Sequence, residues 1–464
     1  MKSKKRFLAP LCLLAALSLL PACAPKALPA NLPTPPPAVT NAPLAGESNA
    51  GQVANAPQQT KPASVAISTF KGSITRHVPP VDKSIQATDT DSLNQTGILG
   101  YGYNDLTNAD ISGNDYSGQT GMSTFPVVYN EKTVRPKALP PGFDPALFLE
   151  NGKNRGLGID SLHRQGITGK GVSIAMIGEP IVTDQREIVD NLTDYEEFAT
   201  MTTDANLEAT SMASMLVGAT VGLCPDAKLY YIAASPATAD AWNAMAGRPD
   251  WYNMAFDYTE LTKAINRVVD IDSQLADADK ISVLLINNYW FNDPSTPGYS
   301  DSMVAALKAE AAGIAVFSSS TLSDYAIDYF GLKRDLIEDP DDPANYNLSS
   351  DTRGAIDYNN HDLNVLMQSR LFVPQDNITL AGNTALDDYT YFNIGTNNQT
   401  LAYLTGLYAL CCQVNPGLDP RLWYQTAMDT SCQLTVHNYG KDANEDWTVQ
   451  HCVQPVALVQ KLTP

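Results

Sequence analysis

The sequence predicts an α/β domain in which a mostly parallel, doubly wound sheet carries helices on both faces. Short apolar runs typical of buried strands occur at 172–177, 229–233, 283–286 and 314–317. Segments with helical spacing alternate with them, at 208–218, 259–276, 301–312, 399–414 and 420–429. Such alternation requires crossover helices between neighbouring strands, which gives a three-layer domain.

Local signals indicate where several helices begin and end. Asp301 precedes MVAALKAEAAG, and Asp419-Pro420 precedes RLWYQTAM. Both patterns are typical of a helix start. Gly313 follows the first of these helices, where the backbone must turn back into a strand.

The first 22 residues have the pattern of an export signal. A basic start precedes an apolar run at 7–20, which is too short for a comfortable membrane span. The run ends in LPAC at 20–23, which resembles the bacterial lipobox, L-x-(A/G)-C. That resemblance implies a lipid on Cys23 and a membrane-anchored protein on the cell surface. The alternative is ordinary cleavage near Ala22 or Ala24, which would release a secreted protein.

Composition divides the rest of the chain into three parts. Residues 23–66 are rich in Pro, Ala, Asn and Gln, which predicts a disordered tether. Residues 67–145 contain LTNADISGNDYSG, with turn residues at short intervals, and we expect a weakly structured arm there. A propeptide is the functional alternative for this arm. The globular pattern occupies 146–464.

Charge and histidine placement limit the partners. The chain has 30 basic and 50 acidic residues, a formal net charge of −20, which should repel nucleic acid. The five histidines are scattered and form no H-x-x-x-H pair, so we expect neither a metal site nor a cofactor.

The cysteines outside the signal and the lipobox are odd in number, which leaves at least one free thiol. Three of the five lie in apolar stretches and are expected in the core: Cys224, Cys411 and Cys412. Cys432 and Cys452 flank a polar, hairpin-like segment and form the candidate disulfide.

A resemblance to the subtilase family of serine peptidases covers roughly 146–430. The segment 208–232, EATSMASMLVGATVGLCPDAKLYYI, is similar to the family's histidine motif, H-G-T-x-x-A-(G/S)-x-x-x-G, and the strand after it. The resemblance implies a subtilisin-like fold. It also places Glu208 where the catalytic histidine belongs, and a carboxylate of ordinary pKa is a poor substitute for imidazole.

Two more segments resemble the family but lack its functional side chains. In GKGVSIAMIGEP, residues 169–180, the catalytic acid would follow Ile177, yet that position is Gly178. Glu179 comes one residue later and would point to the other face of the strand. In KAEAAGIAVFSSSTL the family's oxyanion asparagine corresponds to Leu322, which has no donor.

The serine segment also lacks its nucleophile. NIGTNNQTLAYLTGLYALCCQVNP resembles G-T-S-x-x-x-P-x-x-A-G. Aligning on Tyr403 to Gly406 places Asn398 at the serine, and aligning on Gly395-Thr396 places Asn397 there. An amide is no nucleophile at neutral pH.

The related sedolisins use a glutamate at the histidine position, so Glu208 could act as such a base. That family also requires an aspartate one turn later, where this chain has Met212. Thr396, Thr400 and Ser211 are hydroxyls that could substitute as nucleophiles. We expect instead that Glu208 is hydrogen-bonded to Asn398 or to backbone.

These replacements predict a surface-anchored pseudoprotease that binds a peptide or a partner protein in a residual groove. The groove is expected along Leu284–Trp290, with nearby aromatic side chains and an acidic insertion at 335–362 beside it; the aromatics are Trp242, Trp251, Tyr252, Tyr289 and Trp290. Two alternatives remain: a divergent serine-type endopeptidase with a rearranged site, and a structural or assembly lipoprotein.

Overall fold

A computed structural model divides the chain into two units, Met1–Ala66 and Ile67–Pro464. The structure describes residues 68–82, 85–86, 104–118, 127–237, 256–287, 293–319, 321, 324–353, 367–437 and 446–464. The predicted signal, lipobox and tether lie outside the described residues and stay predictions, as do the domain boundaries. Within the described ranges, no helix has the length and apolarity needed to cross a membrane.

A five-stranded parallel sheet forms the centre of the second unit. Its strands are β5 (Ser173–Gly178), β6 (Leu192–Glu197), β7 (Lys228–Ala233), β8 (Ile281–Ile286) and β9 (Ala315–Phe317). Their spatial order is β6-β7-β5-β8-β9, and each neighbouring pair is parallel. The predicted α/β fold class is therefore confirmed. The four predicted strands are all present, and β6 is an addition that its polar sequence, LTDYEE, concealed.

The sequence of the central strand, β5, is almost continuously apolar because both of its faces are buried. Successive side chains of a strand point to opposite sides. Ile174 and Met176 accordingly belong to one hydrophobic core, whereas Ala175 and Ile177 belong to another. The sheet thus separates two cores.

The described helices of regular length cover both faces: α1 (Pro145–Asn151), α2 (Ile159–Arg164), α3 (Leu207–Val217), α4 (Thr259–Gln274), α5 (Tyr299–Ala311), α6 (Asn397–Val414), α7 (Pro420–Thr430) and α8 (Pro455–Leu462). Met212 of α3 and Leu404 of α6 lie in the first core, and Leu261 of α4 and Ala305 of α5 lie in the second. Five of these helices match the predicted segments within two residues at each end.

Two of the three predicted helix boundaries are confirmed. Asp419 accepts hydrogen bonds from the backbone N–H groups of Arg421 (2.9 Å) and Leu422 (3.0 Å), which caps α7. Gly313 has a left-handed φ of 92°, as a helix-ending glycine should. Asp301 is different, because α5 already begins at Tyr299 and Asp301 lies inside its first turn.

The described part of the predicted N-terminal arm begins with an extended strap, residues 68–78, on the outer edge of the central sheet. Ile74 forms a parallel bridge with Tyr195 of β6. The Arg76 guanidinium makes two hydrogen bonds to the carboxylate of Glu197, at 2.7 and 2.9 Å. This pairing covers the open edge of β6, where unpaired backbone groups would otherwise be exposed.

The rest of the arm supplies strands to a second sheet, so its described residues are more ordered than the sequence suggests. Strand β4 (Val127–Asn130) pairs with β14 (Tyr389–Phe392), and the order is β13-β14-β4-β2, with β13 at Ile378–Ala381 and β2 at Asn104–Asp105. Leu106, Ile111 and Tyr116 recur every five residues and are all buried in one small core. A short local pattern of turn residues cannot reveal pairing with a strand about 260 residues away.

A third sheet in the second unit has five strands. Its order is β11-β10-β12-β16-β15, formed by Tyr346–Leu348, Tyr329–Arg334, Leu371–Asp376, Asp446–Cys452 and Cys432–His437. The described part of the acidic 335–362 insertion, residues 335–353, contributes β11 and is bonded to the residues just before α2. The Pro340 carbonyl accepts from Leu157 N at 3.0 Å, and Asp341 accepts from Gly158 N at 2.8 Å.

Candidate functional site

Three of the segments that resemble subtilase motifs are linked at the carboxyl edge of the central sheet. The chain leaves β5 at Gly178, and the Pro180 carbonyl accepts from Asn206 N at 2.8 Å. The Asn206 side chain then caps α3 by accepting from Ala209 N at 2.9 Å. Glu208 is the second residue of α3, and its side chain reaches the start of α6.

The Glu208 carboxylate joins the two helices. Its Oε1 atom accepts from Thr396 Oγ1 at 2.7 Å and from Asn398 Nδ2 at 3.2 Å. The expected hydrogen bond from Asn398 is therefore present. Burial raises the pKa of Glu208, and the two hydrogen bonds partly oppose that rise. Asn397, the alternative serine equivalent, is exposed at the first position of α6.

Local sequence explains how α6 begins here. Thr396 is the N-cap, with its Oγ1 accepting from Gln399 N at 3.3 Å, while Gln399 Oε1 accepts from Thr396 N at 2.8 Å. This reciprocal pair is a capping box. Gly395 is required just before it, since a Cβ there would lie 2.2 Å from the Gln375 carbonyl oxygen.

Thr396 is thus the one sequence-predicted hydroxyl whose side chain bonds the Glu208 carboxylate in the described structure. Ser211 instead donates to the Glu208 carbonyl at 2.8 Å, and Thr400 donates to Gln375 Oε1 at 2.8 Å. Met212, at the sedolisin aspartate position, is fully buried in the core.

The Tyr231 side chain occupies the space beside Gly178, and no sequence pattern had indicated this residue as part of the site. A Cβ at position 178 would lie 2.7 Å from the Tyr231 hydroxyl oxygen and 3.6 Å from Asn287 Cβ. That hydroxyl donates to the Glu179 carbonyl at 2.5 Å. A side chain at 178 would have to displace Tyr231, so this position has no room for the missing acid.

Glu179 does not replace that acid, because its carboxylate serves a neighbouring loop. It accepts from the Ser235 hydroxyl, and the nearby backbone N–H groups of Thr202 and Met201 partly oppose the rise of its pKa. The side chain is 6% exposed, and burial raises its pKa to about 7.

We expect Glu179→Gln to remove part of the pH dependence of stability. A raised folded-state pKa means that the folded protein disfavours the charged form, so wild-type stability should fall as pH rises from about 4.5 to about 7. Glutamine keeps the acceptor oxygen without the charge. The unfolding free energy of each protein is measured in urea at pH 5 and at pH 8. Between these pH values the variant should lose about 2 kcal/mol less of its unfolding free energy than the wild type loses. Equal losses would contradict this role for Glu179.

A network of buried polar side chains supports α6 from its other side, and sequence reasoning missed it. Asp376 is fully buried and accepts from Gly395 N (2.9 Å) and Ser350 N (2.8 Å). Gln375 Nε2 donates to Asp351 Oδ2 at 3.3 Å. Burial, and then the charge of Asp376, raise the pKa of Asp351 to about 7. These residues come from separate segments with no shared spacing, so no sequence signal marks them as a group.

Several predicted site residues cannot be placed. Leu322, the oxyanion equivalent, lies outside the described residues, as do the five aromatic residues in or near the predicted groove segments: Trp242, Trp251, Tyr252, Tyr289 and Trp290. Of the predicted groove strand, 284–287 is described. The candidate disulfide residues, Cys432 and Cys452, face each other across β15 and β16 as free thiols. Across the described residues, no three His, Cys, Asp or Glu side chains converge as metal ligands would.

No protein-family model matches the chain, and no curated protein matches it. Solved structures similar to it are subtilisin-like proteases. The prenylagaramide maturation protease PagA is 10% identical over 66% of this chain and 98% of its own, with a TM-score of 0.40. MycP1 from Mycobacterium smegmatis is 14% identical over 69% of this chain and 86% of its own, with a TM-score of 0.39. A cold-adapted subtilisin-like serine proteinase is 12% identical over 61% of this chain and 89% of its own, with a TM-score of 0.36. Identities of this size do not identify functional residues, so the site is interpreted from its own geometry.

Proposed function

We propose that this protein is a surface-anchored, subtilisin-like pseudoprotease, which binds a peptide or protein segment without cleaving it. One observation carries the proposal: each triad-equivalent position has no side chain or one that is already engaged. Gly178 has none, and the Asn398 amide donates to Glu208. An amide paired with a carboxylate offers no oxygen nucleophile. The lipobox-like sequence at Cys23 supports the surface anchor.

The divergent endopeptidase is the second candidate, and one distance favours it. Thr396 Oγ1 lies 2.7 Å from Glu208 Oε1, within reach of a general base. However, Thr396 is 2% exposed, and its hydroxyl oxygen also accepts the Gln399 N–H as the helix cap. A substrate carbonyl would have to displace that cap to reach the oxygen. The capping role therefore accounts better for the contact.

The carboxyl edge of the central sheet is the proposed binding region. Ligands of open α/β sheets bind outside the carboxyl ends of the strands, where the winding direction reverses. Here β5 lies at that reversal, between β7 and β8. Asn287, directly after β8, is 6% exposed, and its Oδ1 atom has no hydrogen-bond partner within the described part of the chain. A backbone N–H of an extended peptide is the complementary donor.

The test is incubation of the purified full chain with a proteome-derived peptide library. New termini and retained peptides would both be read by mass spectrometry. We expect no cleavage, and peptides that remain bound after washing. Asn287→Ala should then weaken the binding of retained peptides about fivefold, because a buried hydrogen bond contributes about 1 kcal/mol.

Three variants distinguish the two candidates. Glu208→Gln keeps an acceptor for Thr396 but is no base, Thr396→Val removes the hydroxyl, and Asn398→Ala removes the amide. Cleavage by wild type that is lost in the first two variants and kept in the third would establish a divergent peptidase and overturn the proposal.

A further inference from the structure

Two thiols face each other at the base of the C-terminal hairpin formed by β15 and β16. Cys432 and Cys452 are Cα partners in the antiparallel register, and both are free. Directly opposed residues in such a ladder have Cα atoms about 4.5–5.5 Å apart. Disulfides span Cα distances of about 4.4–6.8 Å. The pairing therefore brings the two Cα atoms within the range that a disulfide spans, beside a register irregularity between Cys432 and Leu434.

The two thiols differ in accessibility and in hydrogen bonding. Cys452 is fully buried, whereas Cys432 is partly exposed. Gln454 Nε2 donates to Cys432 Sγ at 3.2 Å, and the Cys452 thiol also donates to it. The hydrogen bond from the Cys452 thiol favours the Cys432 thiolate, so the pKa of Cys432 falls while that of Cys452 rises. The thiolate is the reactive form of cysteine.

We propose that Cys432 and Cys452 form a reversible redox couple, in which Cys432 is the attacking thiol and Cys452 the resolving thiol. The Cys432 thiolate attacks a small disulfide oxidant, forms a mixed disulfide and expels one thiolate. Cys452 then loses its proton to solvent, attacks Cys432 Sγ and expels the second thiolate. Two electrons pass from the pair to the oxidant, and a dithiol reductant reverses the sequence.

The redox couple lies where its oxidation state can change how firmly the hairpin is held in the third sheet. Strand β16 joins the third sheet through Cys452, which pairs with Phe372 of β12. Strand β15 lies at the edge of that sheet. Oxidation would tie the edge strand covalently to the interior strand, independently of the proposed peptide binding.

The test uses the full chain, reduced and then treated under native conditions with oxidised glutathione. Peptide mapping without reduction should find a 432–452 crosslink that a dithiol removes. Cys452→Ser should accumulate glutathione on Cys432, because no resolving thiol remains, whereas Cys432→Ser should accumulate none on Cys452. Iodoacetamide labelling of wild-type Cys432 should reach half its maximum rate below the pH of about 8.5 at which a free cysteine thiol ionises, with buried Cys411 and Cys412 as unlabelled internal controls.

Three results would overturn the proposal. The first is persistence of both thiols in wild type under excess oxidant. The second is equal glutathione adducts in the two serine variants, which would remove the distinction between attacking and resolving thiols. The third is a crosslink that resists the dithiol in the folded protein, which would make the bond a permanent structural one.

Discussion

Gly178→Asp should destabilise the protein by about 3 kcal/mol and create no peptidase, although it restores the acid at the position that the resemblance assigns. The new Cβ would lie 2.7 Å from the hydroxyl oxygen of Tyr231, a side chain that is itself fully buried. Overpacking of this kind costs about 1–3 kcal/mol, and an unpaired carboxylate among buried groups adds to the cost. Combining it with Glu208→His and Asn398→Ser should therefore also give an inactive protein.

A double-mutant cycle with Tyr231→Phe tests the cause. Phenylalanine removes the oxygen that the new side chain would meet, at the cost of the hydrogen bond to the Glu179 carbonyl. In urea unfolding, Gly178→Asp should cost at least about 1 kcal/mol less in the Tyr231→Phe background than in wild type. Gly113→Asp is the matched control, since no atom lies within 4 Å of a Cβ there, and it should change stability by less than about 0.5 kcal/mol. Equal costs in both backgrounds would show that Tyr231 does not block the site.

Asp376→Ala is expected to cost about 4 kcal/mol of unfolding free energy, the largest effect predicted for a single side chain. Asp376 is fully buried and accepts the backbone N–H groups of Gly395 and Ser350. It is also the register partner of Lys333, whose ammonium has no hydrogen-bond partner among the residues that the structure describes and whose pKa is lowered by burial. Alanine would leave two buried donors unsatisfied and the lysine without its counter-charge.

Denaturant unfolding at pH 7 measures this effect. Asp376→Asn should lose about half as much, since one amide oxygen can still accept. Asp335→Ala serves as the control, because that exposed carboxylate accepts only a local backbone N–H and its removal should cost under about 1 kcal/mol. A loss for Asp376→Ala no larger than for Asp335→Ala would mean that the network does not support α6.

The sequence by itself determined four of the five strands of the central sheet and the helices between them. A strand buried on both faces, such as 173–178, must be apolar throughout, and α6 shows an equally continuous apolar pattern because 399–412 is buried on every side. These are local consequences of burial, so they are readable before any contact is known. The motif register also led to the expectation that Glu208 bonds either Asn398 or backbone, and the structure contains the bond from Asn398.

Only the tertiary structure decided what fills the site and what surrounds it. Tyr231 occupies the space beside Gly178, and Thr396 rather than Ser211 or Thr400 bonds the Glu208 carboxylate. The described part of the arm pairs with β6 and β14, strands that are distant in sequence. Periodicity reports which face of an element is buried, whereas these contacts depend on which distant element packs there. That choice is made by the whole fold and has no local spacing to reveal it.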